Sequence, residues 1–325
     1  MNPDPQNKPR VFVTRRLPEE VWAELAVHVD AELWDYDTPP PYETILEKVV
    51  GKDGLLCLLT DRIDAGVMQA GSELKVISQI AVGYDNIDVD EATRRGVKVG
   101  NTPGVLTDAT ADFTFTLLMA AARRVGEGIE YVKGGRWTTW GLTSLLGQEV
   151  YGVTLGIIGF GRIGQAVARR AQGFNMRVLY YDRNRKPEAE RELGAEYHDL
   201  DDLLGEADFV SLHVDLNEGT HYMIGAAELD KMKPTGILVN TARGPIVDSE
   251  ALYNALKENR IAGAALDVTD PEPLPAEHKL LSLPNITVLP HIASATRSTR
   301  LKMCRMALEN LLAGLKGEPL PYPVN

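Results

Sequence analysis

Residues 154–174, TLGIIGFGRIGQAVARRAQGF, decide how the rest of the chain is read. A short apolar run leads into Gly159, Gly161 and Gly164, and a helical pattern follows at once. Between a strand and a helix, this G-x-G-x-x-G spacing has a physical purpose at each glycine. The first permits a tight turn, the second lets the backbone approach a pyrophosphate, and the third lets the helix pack on the strand. The first N–H groups of the helix are then aimed at the anion. The next apolar run, MRVLYYD, ends in Asp182, where a carboxylate can accept both hydroxyls of a ribose. Such an acid repels a 2′-phosphate and argues for NAD over NADP. Arg183 and Arg185, in DRNRK, are placed either to clamp such a phosphate or to lie solvated at the strand end.

The rhythm of that stretch extends in both directions. From Val153 the runs VTLGIIG, MRVLYYD, ADFVSLHV, GILVNTA, IAGAALDV and NITVLPH alternate with helical patterns, which predicts a doubly wound domain on a parallel sheet. Between Arg10 and Thr102 the runs VFVT, ELWDY, GLLCLLT, LKVISQIAV and VKVGN do the same, and their nearly unbroken apolar character predicts strands covered on both faces. Between the two series, Leu106, Ala109, Phe113, Leu117 and Ala120 recur at helical steps in a segment that ends at Arg124. Its other face carries Phe115, Leu118 and Met119, so this helix is expected to be buried between layers or subunits. Gly134, Gly135, Trp137 and Trp140 follow as a loop, and the tryptophans read equally as plain interface or core aromatics and as functional residues. After Ser294 a last helix carries Leu301, Cys304, Leu308, Leu311 and Leu315 on one stripe, with Gly317 to stop it.

Composition narrows the function classes. The chain has 325 residues, 44% of them apolar, enough for two cores. Lys and Arg number 34 against 46 Asp and Glu, and a net charge of −12 repels phosphate backbones and anionic membranes, so no nucleic-acid or membrane partner is expected. The two cysteines, Cys57 and Cys304, lie in apolar segments outside any metal-ligand pattern, which predicts no metal site and a reducing compartment. The first residues, MNPDPQNKPR, lack the apolar core of a signal peptide, and no later stretch approaches the ~20 apolar residues of a membrane span. The chain reads as cytoplasmic.

Three polar residues stand at the ends of predicted strands, where an open α/β sheet binds its ligands. Arg243 follows ILVNTA, Glu272 follows ALDVTDP, and His291 follows ITVLP. Each alone is ordinary, and His291 alone reads equally as a structural histidine. Together they suit hydride chemistry on an α-keto acid. Hydride arriving at the carbonyl carbon leaves a growing alkoxide that needs a proton, the task of His291. Glu272 would hold the imidazole in one tautomer, and Arg243 would bind the substrate's carboxylate or carbonyl oxygen and polarise it.

These residues carry a family resemblance. GIIGFGRIGQAVARR, VNTARGPIVD, GAALDVTDPEPLP and LPHIASAT, in this order, resemble the D-isomer-specific 2-hydroxyacid dehydrogenases. VISQIAVGYDNID, NTPGVLTDATADF, GGRWTTW and NLLAGLKGEPLP extend the likeness over nearly the whole chain, toward the glyoxylate/hydroxypyruvate reductase branch. The resemblance implies a Rossmann-type cofactor domain, residues 104–294, inserted in a flavodoxin-like substrate domain, residues 1–103 plus 295–325. Both are doubly wound parallel sheets. It places Arg243, Glu272 and His291 as the catalytic trio and gives the backbone N–H groups of Val82 and Gly83 to the substrate carboxylate, with Ser294 and Arg243 also at the substrate. Asp267 is implied to hold the nicotinamide carboxamide, within a cofactor set of Gly159, Gly161, Arg162, Ile163, Gly164, Asp182, Arg183, Thr220, Thr241 and Asp267. Homodimers are implied to meet through the cofactor domains, with Trp140 reaching a partner's active site.

One departure stands out: HVDLNEGT has Asp215 where many relatives read H-x-P-L-T, with Thr220 still in register. The expected activity is NAD(P)H-dependent reduction of glyoxylate and hydroxypyruvate, with NAD preferred although close relatives often prefer NADPH. A dehydrogenase for another small acid, of the D-lactate, formate or phosphite type, is one alternative. A dinucleotide-sensing corepressor-like binding protein is another; such proteins carry long extra tails, whereas this chain stops shortly after Leu315.

Overall fold

A computed structural model describes residues 8–325. In chain order the elements begin with β1 (Arg10–Val13), α1 (Glu19–His28), β2 (Asp30–Leu33), α2 (Tyr42–Lys48), β3 (Gly54–Cys57), α3 (Ala65–Ala70), β4 (Val76–Gln79), α4 (Val89–Arg95) and β5 (Lys98–Gly100). Next come α5 (Thr107–Ala122), α6 (Val125–Lys133), β6 (Thr154–Ile158), α7 (Arg162–Ala171), β7 (Arg177–Tyr181), α8 (Pro187–Leu193), β8 (Glu196–Tyr197), α9 (Leu200–Glu206) and β9 (Phe209–Leu212). The chain finishes with α10 (Ala226–Lys231), β10 (Ile237–Asn240), α11 (Ser249–Lys257), β11 (Gly263–Leu266), β12 (Ile286–Val288) and α12 (Arg297–Leu315).

Two units emerge. One gathers the described residues up to Leu106 with Thr296–Asn325, and the other is Thr107–Ala295. The sequence boundaries had been expected at 103/104 and 294/295.

The first unit is a five-stranded sheet in the order β2-β1-β3-β4-β5, every pair parallel. This is the flavodoxin-like order, in which the chain reverses direction of travel after β2. Strands β3 and β4 are buried at every residue, as strands covered on both faces must be. On one face lie Val11, Val13, Leu56 and Val76 with Leu308 and Leu311 of α12, and on the other Phe12, Leu55, Ile77 and Val99. Helix α12 packs on β3 and β4, so the last segment of the chain completes a domain begun by the first.

The second unit is a seven-stranded parallel sheet, β12-β11-β10-β9-β6-β7-β8. Counted from β6 this is the Rossmann order 3-2-1-4-5-6 with one further strand, and its topological switch lies between β6 and β9. Helix α5 packs against α7, β10 and β11, burying Ala111, Phe115, Leu117, Leu118 and Ala122. In the single chain, Asp108, Asp112, Thr116 and Met119, spaced three and four residues apart, form an exposed strip on this helix. Strand β8, two residues long, was not anticipated. Among the described residues, no helix is long and apolar enough to cross a membrane.

Candidate active site

In the second unit the carboxyl ends of β6, β7, β10, β11 and β12 carry the residues of interest, all at one edge of one parallel sheet. After β6 the chain turns through Gly159, at φ +93°, where a Cβ would lie 2.6 Å from the carbonyl of His213. A Cβ on Gly164 would lie 2.2 Å from the carbonyl oxygen of Gly159. Protein atoms alone therefore require these two glycines. Gly161 is different: its φ is −76°, it is exposed, and nothing lies within 4 Å of its Cβ position. It forms the N-cap of α7 with no side-chain cap, which leaves the first-turn N–H groups of Arg162, Ile163 and Gly164 to an outside acceptor. The open face at Gly161 and this uncapped helix start fit a dinucleotide pyrophosphate. Arg162 is exposed, while Ile163 packs on the core.

Asp182 follows β7 and reaches back to the glycine turn, accepting the Phe160 N–H at 2.9 Å and the Asn184 N–H at 3.0 Å. It thus braces the glycine turn. Arg183 is exposed beside it. Arg185 is exposed as well; it makes a bidentate pair with Glu190, at 2.8 and 3.0 Å, and its guanidinium lies over the Tyr197 ring.

The Arg243 turn is shaped by the buried Asn240, whose side chain accepts from the Ala242 N–H at 3.0 Å and donates to the Arg243 carbonyl at 2.8 Å. Thr241 is buried and its hydroxyl meets that of Thr114 at 2.8 Å, joining the end of β10 to α5. Immediately after Arg243, a Cβ on Gly244 would fall 1.8 Å from the Thr269 oxygen. The loops that bear Arg243 and Glu272 therefore touch backbone to backbone.

His291 is a non-glycine residue in the left-handed region, at φ +54°. Several bonds hold it there. Its N–H donates to the Asp267 carbonyl at 2.8 Å, and the Asp267 carboxylate accepts from the Ile292 and Ala293 N–H groups at 2.8 and 2.7 Å. Burial pushes the Asp267 carboxyl above its ordinary range, opposed by those two backbone donors. His291 Nδ1 lies 2.6 Å from Glu272 Oε1, with both side chains about a quarter to a third exposed. A carboxylate can only accept, so Nδ1 carries the hydrogen of this bond and Nε2 is directed away from it. A carboxylate, an imidazole and the turn of a guanidinium residue thus stand together, the elements of proton transfer to a substrate oxygen.

The remaining expected residues are placed as follows. Ser294 is buried just beyond the His291 turn. The Thr220 hydroxyl accepts from the Asn217 N–H and donates to the Asp215 carbonyl, closing its own loop after β9. Trp140 is 78% exposed in the loop after α6. Val82 and Gly83 belong to the five-stranded unit, in the turn after β4. Sequence reasoning missed the bracing of the His291 turn by Asp267. His213, at the end of β9, is a structural histidine whose ring meets Ser211 at 2.8 Å and is held neutral by desolvation. Among the described residues, no His, Cys, Asp and Glu cluster could hold a metal ion.

Comparison with known proteins agrees with this arrangement. Residues 115–293 match the model of the D-isomer specific 2-hydroxyacid dehydrogenase NAD-binding domain. A glyoxylate reductase of Korarchaeum cryptofilum is 56% identical over 319 residues, covering 98% of this chain and 96% of its own length. Among solved structures, a protein of Thermus thermophilus superposes with a TM-score of 0.92 at 48% identity, covering 97% of this chain and all of its own. An NADPH-dependent glyoxylate/hydroxypyruvate reductase of Sinorhizobium meliloti, solved with NADP and malonate, gives 0.87 at 32% identity, over 98% of this chain and 97% of its own. With the glycine turn, the His291–Glu272 pair and the Arg243 turn on one sheet edge, these likenesses show that the chain belongs to the D-isomer specific 2-hydroxyacid dehydrogenase family.

Proposed function

We propose that the protein reduces glyoxylate and hydroxypyruvate to glycolate and D-glycerate with a nicotinamide dinucleotide. The observation that carries this reading is the 2.6 Å His291–Glu272 pair on the same sheet edge as the glycine turn and Arg243. The reduced dinucleotide supplies the hydride when bound. Gly159, Gly161, Arg162, Ile163 and Gly164 hold its pyrophosphate, Asp182 and Arg183 meet its ribose, and Thr220, Thr241 and Asp267 line the remainder of its path. Arg243 fixes the keto acid by its carboxylate and polarises the carbonyl. His291 Nε2 gives its proton to the carbonyl oxygen as the carbon is reduced, and Glu272 keeps Nδ1 protonated so that the transferable proton sits on Nε2. Val82 and Gly83 receive the substrate carboxylate through backbone N–H groups, and Ser294 lies at the same substrate. The five-stranded unit serves as the substrate domain and the seven-stranded unit as the dinucleotide domain.

NADH is the preferred cofactor in this reading. Asp182 opposes a 2′-phosphate, whereas Arg183 and Arg185 are exposed charges, the second already paired with Glu190, and return little on one. The protein acts as a homodimer. Val125, Ile129 and Val132 share one exposed face of α6, and Trp137, Trp140, Leu142 and Leu146 continue an apolar surface that calls for a partner. Trp140 then extends toward the partner's site. Two buried free thiols suit the cytoplasm. Initial rates with glyoxylate, hydroxypyruvate, pyruvate and 2-oxoglutarate, each with NADH and NADPH, test the assignment. The first two substrates with NADH should be fastest, and no oxidation of either dinucleotide with any of them would overturn it.

A further inference from the structure

The five-stranded unit contains a polar network that the proposed chemistry leaves unexplained. Three successive carbonyls in the turn after β4 are each held by a donor. The Thr102 N–H donates to Ala81 O at 2.9 Å, the Asn101 side-chain amide to Val82 O at 2.7 Å, and the Gln79 side-chain amide to Gly83 O at 3.1 Å. In a trans peptide the N–H lies in the plane of the preceding C=O and points the opposite way. Anchoring these three oxygens therefore aims the N–H groups of Val82, Gly83 and Tyr84 away from the anchors. Among the described residues, none of those three N–H groups meets an acceptor. A run of outward backbone donors makes an anion-binding concavity.

The anchors are themselves tied down. Gln79 is fully buried, donates also to Asn86 Oδ1 at 2.5 Å, and accepts from the Cys57 thiol at 3.2 Å. Asn86 donates to the carbonyls of Leu58 and Asp61, at 3.1 and 2.7 Å. The Asn101 carbonyl accepts from the amide of Asn310, a buried residue of α12 that in turn accepts the Tyr322 N–H, both at 2.9 Å. One hydrogen-bonded assembly thus ties the exits of β3, β4 and β5 to the last helix. Burying amides costs free energy unless their polar atoms are partnered, and apolar side chains would fill these positions without that demand. What the amides add is the orientation of peptide groups.

We propose that Gln79 and Asn101, steadied by Asn86 and Asn310, are positioning residues that present the Val82, Gly83 and Tyr84 N–H groups as a seat for the keto acid's carboxylate. They set substrate affinity and take no part in the hydride and proton steps. The inference rests on the proposed reading of Val82 and Gly83 as that seat, so the test has two arms.

In the first arm, amide hydrogen exchange of the wild-type protein is followed with NADH, with and without oxalate as an unreactive carboxylate of glyoxylate's size. Slowed exchange at Val82, Gly83 and Tyr84 is expected on adding oxalate; unchanged exchange would mean that the seat is elsewhere and would overturn both claims. In the second arm, Asn101→Ala and Asn86→Ala are compared with wild type. Each is expected to raise KM for glyoxylate about 10-fold or more, the factor carried by one charge-assisted hydrogen bond. Each should also lose the oxalate protection, with kcat within about threefold and KM for NADH unchanged. Melting temperatures identify any variant that has lost its fold, and the pair of variants keeps the comparison intact if one does. Protection in wild type together with unchanged glyoxylate KM in folded variants would refute the positioning role while leaving the seat in place.

Discussion

Replacing the middle glycine of the cofactor turn separates what the fold needs from what a dinucleotide needs. Gly161→Ala puts a methyl group where no protein atom lies within 4 Å, on extended backbone at φ −76°. The unfolded chain loses conformational freedom and the folded one loses nothing, so the apoprotein should gain about 0.4–1 kcal/mol. For a chain of this size that corresponds to roughly 0.6–1.5 °C in Tm. The two flanking glycines behave oppositely. Gly164→Ala drives a methyl to 2.2 Å from the Gly159 oxygen, and Gly159→Ala adds a 2.6 Å clash with His213 to an unfavourable φ of +93°. Overpacking of this kind typically costs about 1–3 kcal/mol, and here backbone cannot easily move aside. On the proposed reading, the same methyl at Gly161 would occupy the approach of the pyrophosphate. Losing one charge-assisted hydrogen bond to it should weaken NADH binding at least about tenfold. Thermal melts of the apoprotein and a fluorescence titration with NADH measure both quantities on one sample. A Gly161→Ala protein that binds NADH as tightly as wild type would refute the placement of the pyrophosphate, and one that melts well below wild type would refute the open geometry.

Three further outcomes follow from the same structure. Asp182→Ser should shift kcat/KM from NADH toward NADPH, but only within about fivefold of parity, because an exposed arginine such as Arg183 returns about 0–1 kcal/mol on a 2′-phosphate; a wild type already faster with NADPH would contradict the role of Asp182. Arg243→Ala should damage both KM and kcat for glyoxylate, since carboxylate binding and carbonyl polarisation go together, and a change in KM alone would restrict Arg243 to binding. Burial, aided by the Glu190 carboxylate on its hydroxyl, pushes the Tyr180 phenol up to about 12 from an ordinary 10.0. A raised folded value stabilises the protein while the group is protonated, so that contribution is complete below pH 10 and lost as pH rises through about 12. The Tm difference between wild type and Tyr180→Phe should shrink across that window, and a constant difference would refute it.

What could be read from the sequence was governed by how local each cause is. The glycine turn was legible because tight turning, close helix packing and an open approach are each set within six residues. The strands were legible as apolar runs that need cover on both faces, whereas their order came only with the family resemblance, and the two residues of β8 bury too little to leave a pattern. Asp182 was recognisable as an acid at a strand end, but its bond to the Phe160 N–H depends on how β6 and β7 pair. The pairing of Arg185 with Glu190 was within reach, since the acid lies five residues on in the next helix. Asp267 was named only through family resemblance. Its grip on the His291 turn joins β11 to the segment after β12, a contact set by the register of adjacent strands. The Gln79–Asn101–Asn310 network was invisible for the same reason, since Asn101 and Asn310 meet across 209 residues of chain.

The central claim is that His291, braced by Glu272, delivers the proton that completes keto-acid reduction, and single-turnover and steady-state rates of glyoxylate reduction by wild type and His291→Ala test it most directly. The wild-type protein should oxidise NADH only when glyoxylate is present. His291→Ala should lower kcat by roughly 10² to 10⁴, the usual span for a general acid, with NADH binding little changed. A His291→Ala protein that turns glyoxylate over at the wild-type kcat would contradict the account.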